Sequence, residues 1–213
     1  WYVGVTNSIN WMDGLDGLAS AIGIIALMSI CCVLISGGKI YEAKLSIILI
    51  GSIAGFFIQN IKAKNIFMGD GGSYLIGFNL AFLSIYAGKT FNQNEIIFTN
   101  NLNILFPLLI LALPLIDMTI VIISRIILKR SPFSSDRLHI HHKLLDSGFS
   151  QKDTLIILIL FHQWFTLISL RYLNVINNNL IILMSTLIFI ATIYYSKIFK
   201  LYLKNISLKS NNF

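Results

Sequence analysis

At 213 residues, with 56% hydrophobic and only 12% charged, the chain has more apolar surface than a soluble domain of this size could bury, which points to a polytopic membrane protein. The formal charge of +7 comes from few residues, so their placement says more than their sum, and no nucleic-acid partner is expected. Cys31 and Cys32 are adjacent inside an apolar run, a poor arrangement for a structural disulfide, and a chain that starts at Trp1 with no signal-peptide pattern reads as an excerpt of something longer.

The first informative stretch is N-S-I-N-W-M-D-G-L-D-G-L-A-S, from Asn7 to Ser20. Asn7, Asn10, Asp13 and Asp16 recur at every third position, and Gly14 and Gly17 each follow a carboxylate where a long uncharged run begins. Acids and amides at the mouth of a membrane helix are costly unless they bind something, and glycine lets backbone come close to a ligand. The stretch reads as half of a metal and phosphate site. The plainer reading is that Asp16 is an N-cap and Asp13 a turn former.

Apolar runs follow at about residues 18 to 37, 45 to 58, 74 to 88, 102 to 124, 155 to 173 and 180 to 196, against the roughly 17 to 25 residues a spanning helix needs. The expected fold is all-α: one domain over residues 1–213, a transmembrane helix bundle with about six spans. Six spans put residues 1 to 17, 59 to 73, 125 to 154 and the tail after 196 on one side. Those segments hold twelve Lys and Arg residues against four (Lys39, Lys44, Lys89 and Arg171) on the other, which places them in the cytoplasm by the positive-inside rule. The basic, partly amphipathic tail reads as a solvated or headgroup-bound end.

The second loop reads N-I-F-M-G-D-G-G-S from Asn65 to Ser73, with Asp70 enclosed by Gly69, Gly71 and Gly72 just before a helix. Mg²⁺ takes hard oxygen ligands, commonly one or two carboxylates plus waters and substrate phosphates, and Asp70 with Asp16 meets that description. Phe67 offers a face for stacking on a flat ring, or else is a membrane-interface anchor. The third loop places His139, His141 and His142 beside Arg137 and Lys143. Clustered histidines suggest zinc, but this spacing is not a zinc pattern and no cysteine is near. The surrounding cations suit a polyanion such as pyrophosphate better. Chance clustering in a basic loop is the third reading. Asp117, inside the fourth run, needs a partner or a wet cavity, and Arg125 lies eight residues further on. His162 and Gln163 read as interhelical hydrogen-bonding groups.

Together, N-S-I-N-W-M-D-G-L-D-G-L-A, F-M-G-D-G-G-S and S-P-F-S-S-D-R-L-H-I-H-H-K-L resemble the polyprenyl-phosphate N-acetylhexosamine-1-phosphate transferase superfamily. The H-I-H-H form is similar to the branch that starts O-antigen and teichoic acid linkage units, rather than the lipid I branch with three consecutive histidines. The resemblance covers the later half of the family architecture; an earlier loop with an adjacent aspartate pair has no counterpart.

It implies transfer of a sugar-1-phosphate, GlcNAc-1-phosphate or another N-acetylhexosamine-1-phosphate, from a UDP-sugar to undecaprenyl phosphate with release of UMP, as a first membrane step of envelope polysaccharide synthesis. By the resemblance, Asp13, Asp16 and Asp70 are catalytic, and Asp16 and Asp70 hold Mg²⁺, with Mn²⁺ as a substitute. Asn7 and Asn10 orient the nucleotide or support the metal shell. Phe67 stacks on uracil, and Arg137, His139, His141 and His142 bind phosphates. It further implies the bacterial inner membrane, a lipid partner and, compatibly, a homodimer. Two rival readings are an inactive or non-catalytic membrane subunit and a transporter. A transporter would carry polar groups near mid-span and paired repeats, whereas here they crowd into loops.

Overall fold

The computed structural model describes residues 1–63, 66–90, 104–132, 136–176, 178–181, 183–188 and 190–191. The basic tail, the last part of the sixth apolar run, Lys64, Asn65 and residues 133–135 lie outside the described residues. Among the described residues there is no strand, and the all-α expectation holds. Among the described residues the main helices are α1 Tyr2–Met12, α2 Leu18–Ser36, α3 Ile40–Ala63, α4 Gly69–Thr90, α5 Leu105–Ile110, α6 Ala112–Ile127, α7 Ile140–Asp146 and α8 Gln151–Tyr172.

α2 is apolar on every side and is covered by α3, α4 and α8, so it forms the centre of the bundle. α3 is less apolar, with Glu42, Lys44 and Lys62 towards its ends, and turns most of its surface outward, with Ile47, Ile48 and Ile58 exposed, as expected of a helix that faces lipid. α6 inverts the soluble pattern: Asp117, Val121 and Arg125 point inward while Ile116, Ile120, Ile123 and Ile127 point out. In hydrocarbon that is the favourable orientation, because charged side chains find partners only inside the bundle.

Among the described residues, three helices are long and apolar enough to cross a membrane: Leu18–Ser36, Ile40–Lys62 and Gln151–Tyr172. The expectation of about six spans is therefore not confirmed: three are met among the described residues, and parts of the fourth and sixth runs lie outside them. The run at 74 to 88 lies in α4, which is 22 residues long but diluted by glycine, serine and Asn79. Over its described residues, 104 to 124, the fourth run is two helices. α5 ends at Ile110 and α6 starts at Ala112, with Pro114 in the first turn of α6, where its missing N–H costs no helical bond. The second run extends well past its apolar core to make the 24 residues of α3.

The N-terminal stretch also differs from expectation. Residues 1 to 17 were expected as a loop at the membrane surface, yet residues 2–12 form α1, with Val5, Ile9 and Met12 fully buried. Its register against α4 is antiparallel. The Trp1 indole N–H donates to Ala81 O at 3.0 Å, and Asn10 at the other end reaches Asp70 and Ser73. Between them the helices touch at Gly77, where an added Cβ would lie 2.7 Å from Thr6 Cα. A polar helix can enter the bundle because its apolar residues recur at helical spacing on one side and its amides line the other.

These pairings set one end of the bundle. α1, α3 and α6 finish there, and α2 and α4 start there: Met118 of α6 lies beside Gly4, and Arg125 beside Trp11. The turns at 13–17 and 66–69 and the segments 128–132 and 136–150 thus come together, while the Gly37–Gly38 turn and Thr90 meet at the far end.

Candidate active site

Asp13 is the C-cap of α1, and its N–H donates to Asn10 O at 3.1 Å. The chain then turns through Gly14, Leu15 and Asp16 to Gly17, which begins α2 at φ 82°, a left-handed conformation that glycine adopts without strain. Gly17, not Asp16, occupies the N-cap, and it makes no side-chain capping bond. The plain N-cap reading of Asp16 is thereby removed.

Asp70 lies in the first turn of α4. The Asn10 amide donates at 2.9 Å to Asp70 Oδ1 and at 2.9 Å to Ser73 Oγ, tying the two aspartate motifs across sixty residues of sequence. Asp13 accepts from the Gly69 N–H and feels the charges of Asp16 and Asp70. Burial is the largest influence on its carboxyl and pushes it up to about 6; the Gly69 N–H opposes this, and the neighbouring carboxylates add to it. Three acids and an amide from α1, the following turn and α4 therefore share one small region.

Asn60, in the last turns of α3, is the residue that sequence reading missed. It is buried, its Oδ1 accepts the Gly17 N–H at 2.6 Å, and its Nδ2 donates to Ile66 O at 2.7 Å. One side chain thus braces both aspartate loops through their backbones. The signal was an amide at the end of an otherwise apolar helix, ten residues before Asp70.

The histidine segment is held from below. Asp117, buried in α6, accepts from His139 Nδ1 at 2.7 Å and from the Ile140 N–H at 2.7 Å. Arg125 forms a two-pronged pair with Asp136 at 2.7 and 3.2 Å, and its guanidinium lies 4.9 Å from the Trp11 ring centre. Asp136 also accepts from the Leu138 N–H at 3.0 Å, and bonding to Arg125 holds its carboxyl below the usual carboxylate range. The edge of Trp11 meets the His139 ring at 5.4 Å. Asp117 and Arg125 therefore serve different partners, and both fasten the third loop to α1 and α6.

The other predicted residues fall at graded distances from this centre. His141 is buried against Gly14, and His142 is half-buried. Arg137 lies on the exposed outer side, paired with Asp146 at 2.6 Å. Phe67 is 76% exposed, beside the Asp70 turn. Asn7 is one turn further into α1 and donates to Val3 O within its own helix at 2.8 Å. His162 is fully buried in α8 and comes up against the backbone of Ile22 in α2. Among the described residues, no three His, Cys, Asp or Glu side chains form a group that could hold a metal unaided. A divalent cation here would complete its shell with waters or phosphate oxygens, as Mg²⁺ commonly does.

Residues 1–88 match the family described as glycosyl transferase family 4. A probable undecaprenyl-phosphate N-acetylglucosaminyl 1-phosphate transferase of Bacillus subtilis is 38% identical over 160 residues, covering 75% of this chain and 43% of the relative. The decaprenyl-phosphate N-acetylglucosaminephosphotransferase of Mycobacterium leprae is 36% identical over 172 residues, 74% of this chain and 43% of the relative. The undecaprenyl-phosphate alpha-N-acetylglucosaminyl 1-phosphate transferase of Escherichia coli K12 is 30% identical over 160 residues, 72% of this chain and 41% of the relative. The chain thus spans less than half the length of the curated relatives it matches. The matched residues 1–88 hold both aspartate motifs, and over 75% of its length the chain is similar to polyprenyl-phosphate N-acetylglucosamine-1-phosphate transferases.

Proposed function

We propose that this protein transfers N-acetylglucosamine-1-phosphate, or a closely related N-acetylhexosamine-1-phosphate, from its UDP-sugar to a polyprenyl phosphate in a bacterial cell membrane. A phosphate oxygen of the lipid attacks the β-phosphorus of the UDP-sugar, the bond from that phosphorus to the bridging oxygen breaks, and UMP leaves with the electron pair. The attacking oxygen is already anionic near neutral pH, so no aspartate needs to act as its base. The work left to the protein is to hold two anions together and offset the developing charge.

The observation that carries this reading is the meeting of Asn10, Asp13, Asp16 and Asp70 beneath a basic, histidine-bearing segment at one end of the bundle. Burial first, and the charges of Asp16 and Asp70 after it, raise the proton affinity of Asp13; carboxylates crowded in this way suit a cation, and their oxygens are the hard donors that Mg²⁺ or Mn²⁺ takes. In this reading Asp16 and Asp70 hold the cation, which when bound supplies charge neutralisation on the pyrophosphate. Asn10 fixes the Asp70 carboxylate. Asn7 supports the same helix face, Phe67 offers an exposed ring to uracil, and Arg137 with the half-buried His142 brings guanidinium and imidazole donors to the phosphates, on a segment that His139 and His141 hold in place. This end of the bundle faces the cytoplasm, where UDP-sugars are made.

The test is direct. Protein in nanodiscs is given radiolabelled UDP-GlcNAc, undecaprenyl phosphate and Mg²⁺, and label is followed into the organic phase. Lipid-linked sugar phosphate with equimolar UMP, abolished by EDTA, is the expected result. Binding of UDP-GlcNAc without turnover would assign a non-catalytic role instead.

A further inference from the structure

We infer that His141 is a positioning residue for the Asp13–Asp16 turn, acting through contact with Gly14 rather than as a ligand of the phosphates. Gly14 follows one of the crowded carboxylates, and a Cβ built on it would lie 2.5 Å from His141 Nε2 and 3.1 Å from its Cε1. Those distances are too short for any side chain, so turn and ring meet as two surfaces pressed together. His141 is 1% exposed, and among the described residues neither of its ring nitrogens has a hydrogen-bond partner. A ring this buried is out of reach of a pyrophosphate unless the segment lifts.

Nor can the ring retreat. On one side it is stacked on His139, with centres 5.6 Å apart and planes 14° from parallel, and His139 is anchored on Asp117 at 2.7 Å. On the other it meets His142 at 4.3 Å. A rigid path therefore runs from Asp117 in α6 through two imidazoles to the peptide between the two carboxylates. The three histidines divide the work: His139 anchors, His141 presses on the turn, and the half-buried His142 is left nearest to solvent. Because Gly17 is held from the opposite side by Asn60, the turn is gripped at both ends.

The inference rests on the proposed transfer reaction only for its kinetic half. It is tested with Gly14→Ala, His141→Ala and the double variant in the intact protein, by thermal unfolding in detergent and by transferase kinetics. Gly14→Ala should lower the unfolding midpoint, and the double variant should regain most of that loss, because the new methyl occupies space the imidazole vacated. Each single variant should raise the Mg²⁺ concentration for half-maximal rate by about tenfold, as loss of support behind a metal ligand does, with the KM for UDP-GlcNAc changed far less. Additive losses in the unfolding midpoint would overturn the contact. A raised UDP-GlcNAc KM in His141→Ala at unchanged Mg²⁺ dependence would make His141 a phosphate ligand and overturn the role. A wild-type protein without transferase activity would sink the proposed function, and the unfolding cycle would still decide the contact.

Discussion

Asp70 carries the sharpest consequence of the site's chemistry, since it receives the Asn10 amide and faces Asp13. Asp70→Asn keeps the shape and a hydrogen-bonding group but removes charge, so kcat should fall by orders of magnitude while the protein stays folded. Near-normal turnover at ordinary Mg²⁺ would take Asp70 out of the site. His141 gives a second prediction at this scale. Burial first, then His142 and His139, push its imidazole from 6.5 down to about 4, with Asp117 pulling the other way. In the unfolded chain the ring binds a proton near its ordinary value, so between those pH values the unfolded state holds more protons. The stability linked to the neutral ring is complete above about pH 6.5 and drains away as pH falls towards 4. The unfolding midpoint of the wild type should therefore drop more steeply over that range than that of His141→Gln; parallel curves would refute it. Sequence alone identified which acids and histidines to watch, because charged groups beside membrane helices are rare. It could not separate His139, His141 and His142, whose different tasks depend on which ring lies over Gly14 and which reaches Asp117.

At the scale of elements, the α1–α4 contact decides whether Asn10 can reach Asp70. Gly77 lets the two backbones approach, and a methyl there would meet Thr6 Cα at 2.7 Å and Thr6 O at 3.3 Å, neither of which can step aside. Gly77→Ala should cost about 1 to 3 kcal/mol of stability as an overpacked contact, and should lower transferase activity by drawing α1 away from Asp70. Gly51→Ala on α3, where an added Cβ meets nothing within 4 Å, is the control and should behave as wild type. Equal effects of the two would mean that α1 does not depend on that approach. This element was illegible beforehand for a physical reason. The apolar residues of α1 are spaced for one face and interrupted by Asn7 and Asn10, so no continuous run announces a membrane-depth helix. By contrast, α2 and α8 were read to within a few residues, because an unbroken apolar run leaves little choice of structure. The run at 102 to 124 misled in the opposite direction. It is apolar apart from Pro107, Pro114 and Asp117, and the two prolines were the hint that the backbone would be divided near Leu111.

At the scale of the whole molecule, the pairings of α1 with α4 and α6 gather the motif turns at one end, and charge follows them. Lys62, Arg125, Lys129, Arg130, Arg137, Lys143 and Lys152 belong to helix ends or loops at the site end, while Lys39, Lys44, Lys89 and Arg171 lie in the elements that finish or begin at the other. Positive residues hold back from crossing a membrane, so this asymmetry is the ground for the proposal that the site end lies in the cytoplasm. The far-end turn at Gly37–Lys39 joins two helices that each qualify to span, which makes it a clean reporter of the opposite face. Single cysteines placed at Lys129 and at Lys39, in a chain whose Cys31 and Cys32 are changed to Ser, should then react oppositely with an impermeant maleimide added to intact cells. Lys39→Cys should label from outside, and Lys129→Cys only after the membrane is permeabilised. Labelling of both from outside would mean that the charge rule fails here. Labelling of Lys129→Cys alone would invert the bundle and put the aspartates on the side that UDP-sugars do not reach, removing the proposed reaction with it.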